Sequence, residues 1–129
     1  MMKKALLGVL LVLPLMLKAE VDKLAVTDWL TAIDDGLYQQ SWLTSSGYLQ
    51  SQVPENIWVS SLSSARSQFG SIVSRELIDS KTLSDLPKVP QGDYTVMIYR
   101  TTFTKGTATE TVTFMQTEDD WKAAGYYIK

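Results

Sequence analysis

Between residues 21 and 70 apolar side chains recur at three- and four-residue intervals, and beyond Gly70 they recur at every second position. The first spacing is that of helices buried on one face and the second that of half-buried strands. Ala25, Val26, Trp29, Leu30 and Ile33 predict a helix over Val21–Asp35. Asp35-Gly36 stops it, because glycine accepts the left-handed conformation at a helix end. Leu37–Leu43 predicts a short second helix with Tyr38 and Trp42 on one face, ended by Ser45-Ser46-Gly47. A third begins near Pro54-Glu55, proline suiting the first turn and the carboxylate the helix dipole. Trp58, Leu62, Ala65 and Phe69 form its stripe, and Gly70 closes it.

Four strands are expected after that: Ile72–Ile78, Asp93–Phe103, Thr109–Gln116 and Trp121–Ile128. Threonine, valine, isoleucine and tyrosine dominate them, as pleated surfaces favour. Ser84–Gly92, with Pro87 and Pro90, is a loop. Taking Lys105-Gly106 as a two-residue hairpin sets Phe103 opposite Ala108, Thr101 opposite Glu110, Tyr99 opposite Val112 and Met97 opposite Phe114. A four-residue turn at Thr117–Asp120 sets Ala123 and Gly125 opposite Phe114 and Val112, and Tyr127 across from Glu110. One face then collects Met97, Tyr99, Phe103, Val112 and Phe114, while the other is largely threonine with Arg100. The expected class is α+β, with N-terminal helices packed on one face of a curved antiparallel four-stranded sheet.

The first nineteen residues follow another logic. Lys3 and Lys4 precede a continuous apolar run, Ala5–Leu17, and Leu17-Lys18-Ala19 offers a small residue at a cleavage point. This is the layout of a secretory signal, and the run is short for a membrane span. The expectation is a signal peptide over 1–19 and one domain over 20–129, placed in the periplasm or secreted, with no membrane span after cleavage. An uncleaved anchor helix is the competing reading. The chain contains no cysteine, so a lipid attached through that residue is excluded.

Cleavage would remove three lysines and leave 110 residues carrying 9 basic and 14 acidic side chains, a net charge of −5. That balance argues against nucleic acid and anionic membrane surfaces as partners. The chain also lacks histidine. Thiol nucleophiles, Ser-His-Asp arrangements and the common zinc and copper sites therefore fall away. No S-x-x-K spacing offers a serine–lysine alternative, and the D-x-D-x-D-G calcium pattern is absent. No metal or cofactor is expected, and any catalysis must rest on carboxylates, tyrosine, lysine or arginine.

Glu110 is the sharpest candidate, since the register puts its carboxylate on the apolar face beside Thr101. Such a group either finds a cation or becomes neutral. Arg75 on the first strand is the expected partner in a structural ion pair; an unpaired Glu110 would suit a general base, and plain exposure at the sheet end is the third reading. Asp34 and Tyr38, four residues apart, are weaker acid–base candidates, or else a helix junction with Asp34 as a cap. Trp29, Tyr38, Trp42, Tyr99 and Phe103 are the ligand-binding candidates if a cavity stays open between helices and sheet; otherwise they are core.

Trp29-Leu30, Ile33-Asp34, Gly36, Tyr38, Ser41-Trp42, Trp58 and Arg66, followed by Arg75, Pro90-x-Gly92-x-Tyr94, Thr101-x-Phe103, Glu110-Thr111-Val112, Trp121 and Gly125-Tyr126, together resemble the DUF4019 family of exported bacterial proteins. The resemblance spans nearly all of the chain after the signal and implies no assigned activity. It implies a layout similar to the NTF2-like and cystatin-like cone folds, which do not dictate chemistry. The expected role is a non-enzymatic envelope module binding a protein or a small hydrophobic ligand. The alternative is a small acid–base enzyme using a carboxylate and a tyrosine. An exposed edge on Ile72–Ile78 or Asp93–Phe103 would favour a protein partner. A cavity lined by Trp29, Tyr99 and Phe103 would favour a small ligand. Oligomeric state is not legible at this level.

Overall fold

A computed structural model describes residues 19–129, and the expected signal segment up to Lys18 lies outside the described residues. Four helices come first: α1 (Lys23–Asp34), α2 (Tyr38–Leu43), α3 (Gly47–Gln52) and α4 (Glu55–Ser67). Strands β1 (Ile72–Ser84), β2 (Asp93–Phe103), β3 (Gly106–Thr117) and β4 (Asp120–Ile128) follow. They form one open antiparallel sheet in sequence order, so the expected α+β class holds.

The Asp22 carboxylate caps α1 by accepting from the backbone N–H groups of Leu24 at 3.0 Å and Ala25 at 3.3 Å. Helix α3 is an addition to the expected set. Ser45-Ser46-Gly47 reads as a stop, but the Ser46 hydroxyl accepts from Leu49 N–H and starts a new helix instead. The backbone N–H of Ser46 donates to the carbonyl of Ala123 at 2.9 Å, tying the α2–α3 connection to β4.

The core lies between α1, α4 and the inner sheet face, with Trp29 at its centre. Its ring meets Trp58 at 6.1 Å, Phe114 edge-on at 5.8 Å and Tyr126 at 5.9 Å between centroids. The indole N–H donates to the Ser41 carbonyl at 2.9 Å and reaches the Ser45 hydroxyl at 3.1 Å, so the buried polar end is satisfied.

The β2–β3 register differs from expectation by two residues. Phe103 pairs with Gly106, Thr101 with Ala108, Tyr99 with Glu110 and Met97 with Val112. The turn is Thr104-Lys105, and Gly106, at φ +156°, is already strand. Contacts outside the hairpin set this: Thr104 N–H donates to Ser71 O and Lys105 N–H to Phe69 O. The tip also sits so close to Gly70, at φ +77°, that a Cβ there would lie 2.2 Å from the Thr104 hydroxyl. A two-residue shift leaves every side chain on its expected face. Met97, Phe103, Val112 and Phe114 are accordingly buried, and Tyr99 partly so.

On β4 the pairing of Ala123 with Phe114 is as expected, but a bulge follows. Gly125 then faces Thr113, Tyr126 faces Val112 and Ile128 faces Glu110. The extra residue reverses the alternation. Tyr126 therefore points inward, while Tyr127, expected opposite Glu110, is 61% exposed.

Strand β1 continues to Ser84, well past the expected end at Ile78, and bulges at both Val73 and Ile78. Its last residues are held by Thr82–Thr95 and Ser84–Asp93 side-chain hydrogen bonds. The outer sheet face is also less open than its threonines suggest. Tyr94 and Met115 are buried there, and the Tyr94 hydroxyl donates to Pro90 O in the 85–92 loop.

Candidate functional site

Four charged side chains from four elements meet beneath the sheet. Asp34 comes from the last turn of α1, Arg66 from the last turn of α4, Arg75 from β1 and Glu110 from β3. Arg75 is the hub. Its Nη1 donates to Asp34 Oδ2 at 2.9 Å and its Nη2 to Asp34 Oδ1 at 2.8 Å, a two-pronged grip on one carboxylate. Its Nε donates to Glu110 Oε1 at 2.8 Å, and Nη2 also reaches Glu110 Oε2 at 3.3 Å. Arg66 adds a bond from Nη2 to Asp34 Oδ1 at 3.0 Å, and its guanidinium lies 4.7 Å above the Phe103 ring.

Glu110 is fully buried, and its two oxygens also accept from the Thr101 and Tyr126 hydroxyls. Two cations face two carboxylates, so the cluster is electrically balanced. Balance and hydrogen bonding are what make buried charge tolerable. Arg75 and Glu110, the expected ion pair, thus meet. Asp34 joins them rather than capping the next helix. The β4 bulge supplies the phenol, from Tyr126 in place of Tyr127. Arg66 stands outside the expected set of site residues. Its signal was its position: it lies four residues beyond Leu62 and eight beyond Trp58, on the buried stripe of α4.

Burial pulls the Arg75 guanidinium down, but hydrogen bonds and charge from Asp34 and Glu110 outweigh it and hold the group above its ordinary value. Burial pushes the Tyr126 hydroxyl well up, and the charge and hydrogen bond of Glu110 add to it. Tyr99 is raised too, by burial first and by Glu110, with Arg75 opposing. A phenol raised in the folded state contributes stability that is complete below the unfolded value of 10.0 and is lost as pH rises above it. Tyr126→Phe is therefore expected to cost about 1.5–3 kcal/mol at neutral pH, as for a hydrogen bond to a charged group. The same variant should also lose stability less steeply above about pH 10. Urea titrations of both proteins from neutral to alkaline pH check both halves; parallel curves would show that Tyr126 does not carry the alkaline loss.

The aromatic candidates share neither of two cavities: Trp29 and Tyr99 line different ones, and Tyr38, Trp42 and Phe103 line neither. Trp29 is packed in the core and Phe103 stacks on Phe69 at 5.4 Å. Tyr38 and Trp42 pack against the core, and the Trp42 indole donates to Val53 O at 2.8 Å. Trp29 borders a cavity of about 270 Å³ beside Gln40 and Trp121. Tyr99 borders another of about 250 Å³, a groove between α1 and β1 also lined by Val21, Val26, Leu77 and Met97. Asp34 and Glu110 line neither of these cavities.

The sheet's two edges differ. The β4 edge already receives the Ser46 N–H. Strand β1 has no neighbour on its outer side among the described residues, and most of its length is exposed. Apolar side chains concentrate along it: Val73 is 64% exposed, Leu77 51% and Ile78 55%. Leu77 faces the helix side of the sheet, but the helices stop short of it and leave the groove. Among the described residues no helix is long and apolar enough to cross a membrane.

The model of a family described as protein of unknown function (DUF4019) matches residues 25–126. That stretch runs from the first turn of α1 to the tyrosine on Glu110 and so includes all four charged residues of the cluster. Among curated proteins, none matches the chain.

Proposed function

The chain belongs to the DUF4019 family of proteins of unknown function, and from that premise we propose that it is an exported envelope protein that binds rather than catalyses. Its partner is a protein that lays an extended segment along the free edge of β1. The observation that carries this reading is the contrast between the two candidate places. The carboxylates able to do acid–base work are buried and held by arginine, whereas unpaired strand backbone and exposed apolar side chains coincide on β1. An open edge is a template for another strand: main-chain hydrogen bonds supply affinity and alternate side chains supply selectivity. The signal-like first nineteen residues support export to the periplasm or beyond. The layout is similar to NTF2-like and cystatin-like cones, an analogy of shape alone.

A small apolar ligand in the α1–β1 groove is a second reading, favoured by the lining of Val21, Val26, Leu77, Met97 and Tyr99. Site-specific photo-crosslinking in cells separates the two. A photoreactive residue at Ser74 or Ser80 on β1 should yield a covalent protein adduct. The same residue at exposed Thr109, on the outer face of β3 and so one strand farther from the edge, should yield none. Adducts of equal strength at Thr109, or none at any position, would remove the edge from consideration.

A further inference from the structure

Resting on that edge-binding reading, we infer that the partner strand is β1 of a second copy of this chain, paired antiparallel about a two-fold axis at the Ile78 bulge. The register follows from the faces of β1. Glu76 stands opposite Arg100 and Lys81 opposite Val96 on β2, so both point to the outer face of the sheet. Arg75, Leu77, Ser80 and Thr82 stand opposite Thr101, Tyr99, Met97 and Thr95 and point to the helix side.

Two antiparallel strands meet with same-face residues opposite one another. The bulge at Ile78 makes that possible only for pairs of one odd and one even residue across it. The register centred between Ile78 and Asp79 places Glu76 opposite Lys81 of the second copy, and the symmetry repeats the pair. Neither residue has an ion-pair partner among the described residues of its own chain, and both are exposed. The same register sets Leu77 opposite Ser80 of the second copy, both facing the helix side, where they line the α1–β1 groove. Each copy thereby contributes an apolar side chain to the other's groove. Sliding the copies by two residues one way puts Glu76 against Asp79 of the second copy, a like-charge pair. Sliding the other way puts it against Leu83 and leaves both charges unmatched. Charge selects the central register. The product is one continuous sheet with four strands from each copy, joined through a self-complementary contact.

The test is a charge exchange read by analytical ultracentrifugation on the protein in the form cells produce. The unaltered protein should sediment at twice the mass of one chain at about 100 μM and dissociate on dilution, which gives its dissociation constant. Glu76→Lys alone and Lys81→Glu alone each set like charges opposite one another twice, and should raise the dissociation constant by roughly tenfold or more. The double variant E76K/K81E restores both pairs and should return the constant to within about threefold of the original. Circular dichroism melts of all four proteins establish that each is folded.

A protein that stays monomeric throughout would overturn the inference. So would a dimer indifferent to either single reversal, or one that the double variant fails to restore. Failure of the inference is distinguishable from failure of the edge-binding reading. Adducts from Ser74 or Ser80 to a different protein leave β1 as a binding edge with another occupant, whereas absence of any adduct removes the edge itself.

Discussion

Replacing Trp29 by alanine is expected to remove about 3–5 kcal/mol of stability, the range for emptying a buried aromatic site. Trp29 is where three parts of the chain converge: the α1 backbone, the Trp58 face of α4 and the inner sheet at Phe114 and Tyr126. Truncation leaves a void between rings that face it from several directions, and it strips a donor from the Ser41 carbonyl. Against a total of about 5–15 kcal/mol for a native domain, a loss of that size brings the protein close to unfolding at ambient temperature. Urea denaturation monitored by circular dichroism measures it. A loss near zero would mean that α1 is not docked on the sheet.

Arg75→Met should cost a similar amount, about 3–5 kcal/mol, for a different reason. Methionine fills much of the same volume but leaves Asp34 with only Arg66, and Glu110 with only the Thr101 and Tyr126 hydroxyls. The penalty is that of buried charge without a counter-ion, so it should respond to treatments that discharge the site. Adding Glu110→Gln to Arg75→Met, which discharges the unpaired carboxylate and leaves Asp34 with Arg66, should recover part of the loss. Acidification should shrink the deficit of the single variant. Its folded state takes up a proton that its unfolded state does not need, so stability rises as pH falls. A double variant weaker than Arg75→Met, together with a deficit independent of pH, would make packing rather than charge the purpose of the cluster.

Much of this was readable along the chain because the periods are robust. The inner face of the sheet survives a register error of two residues, since two is the repeat of a strand. Glu110 was therefore found on the buried face even though its neighbour across the hairpin was misplaced. What escaped depends on contacts between distant segments. Nothing local to Thr104-Lys105-Gly106 shows that Phe69, Gly70 and Ser71 hold the turn. Ala123-Ala124-Gly125 gives no sign of a bulge, yet that bulge decides which of two adjacent tyrosines reaches Glu110. Helix α3 was hidden because Ser46 and Gly47, read as terminators, also serve as a cap and a first residue. Arg66 enters the sequence reading only through the family resemblance, although its place on the Trp58–Leu62 stripe marks it for burial.

The backbone bond from Ser46 to Ala123 bears on how far any assembly of this chain can grow. A sheet with both margins open can add subunits at either side without end, which is the geometry of a fibril. Here the α2–α3 connection takes one carbonyl of the β4 margin, that of Ala123, and so interrupts it, whereas among the described residues no such bond meets the outer side of β1. Once two copies join along β1, the joined sheet presents only the interrupted β4 margins, which favours a discrete particle over continued growth. Weakening that connection would therefore be expected to show itself in solution behaviour, as a tendency toward open-ended polymers, before it appeared as unfolding.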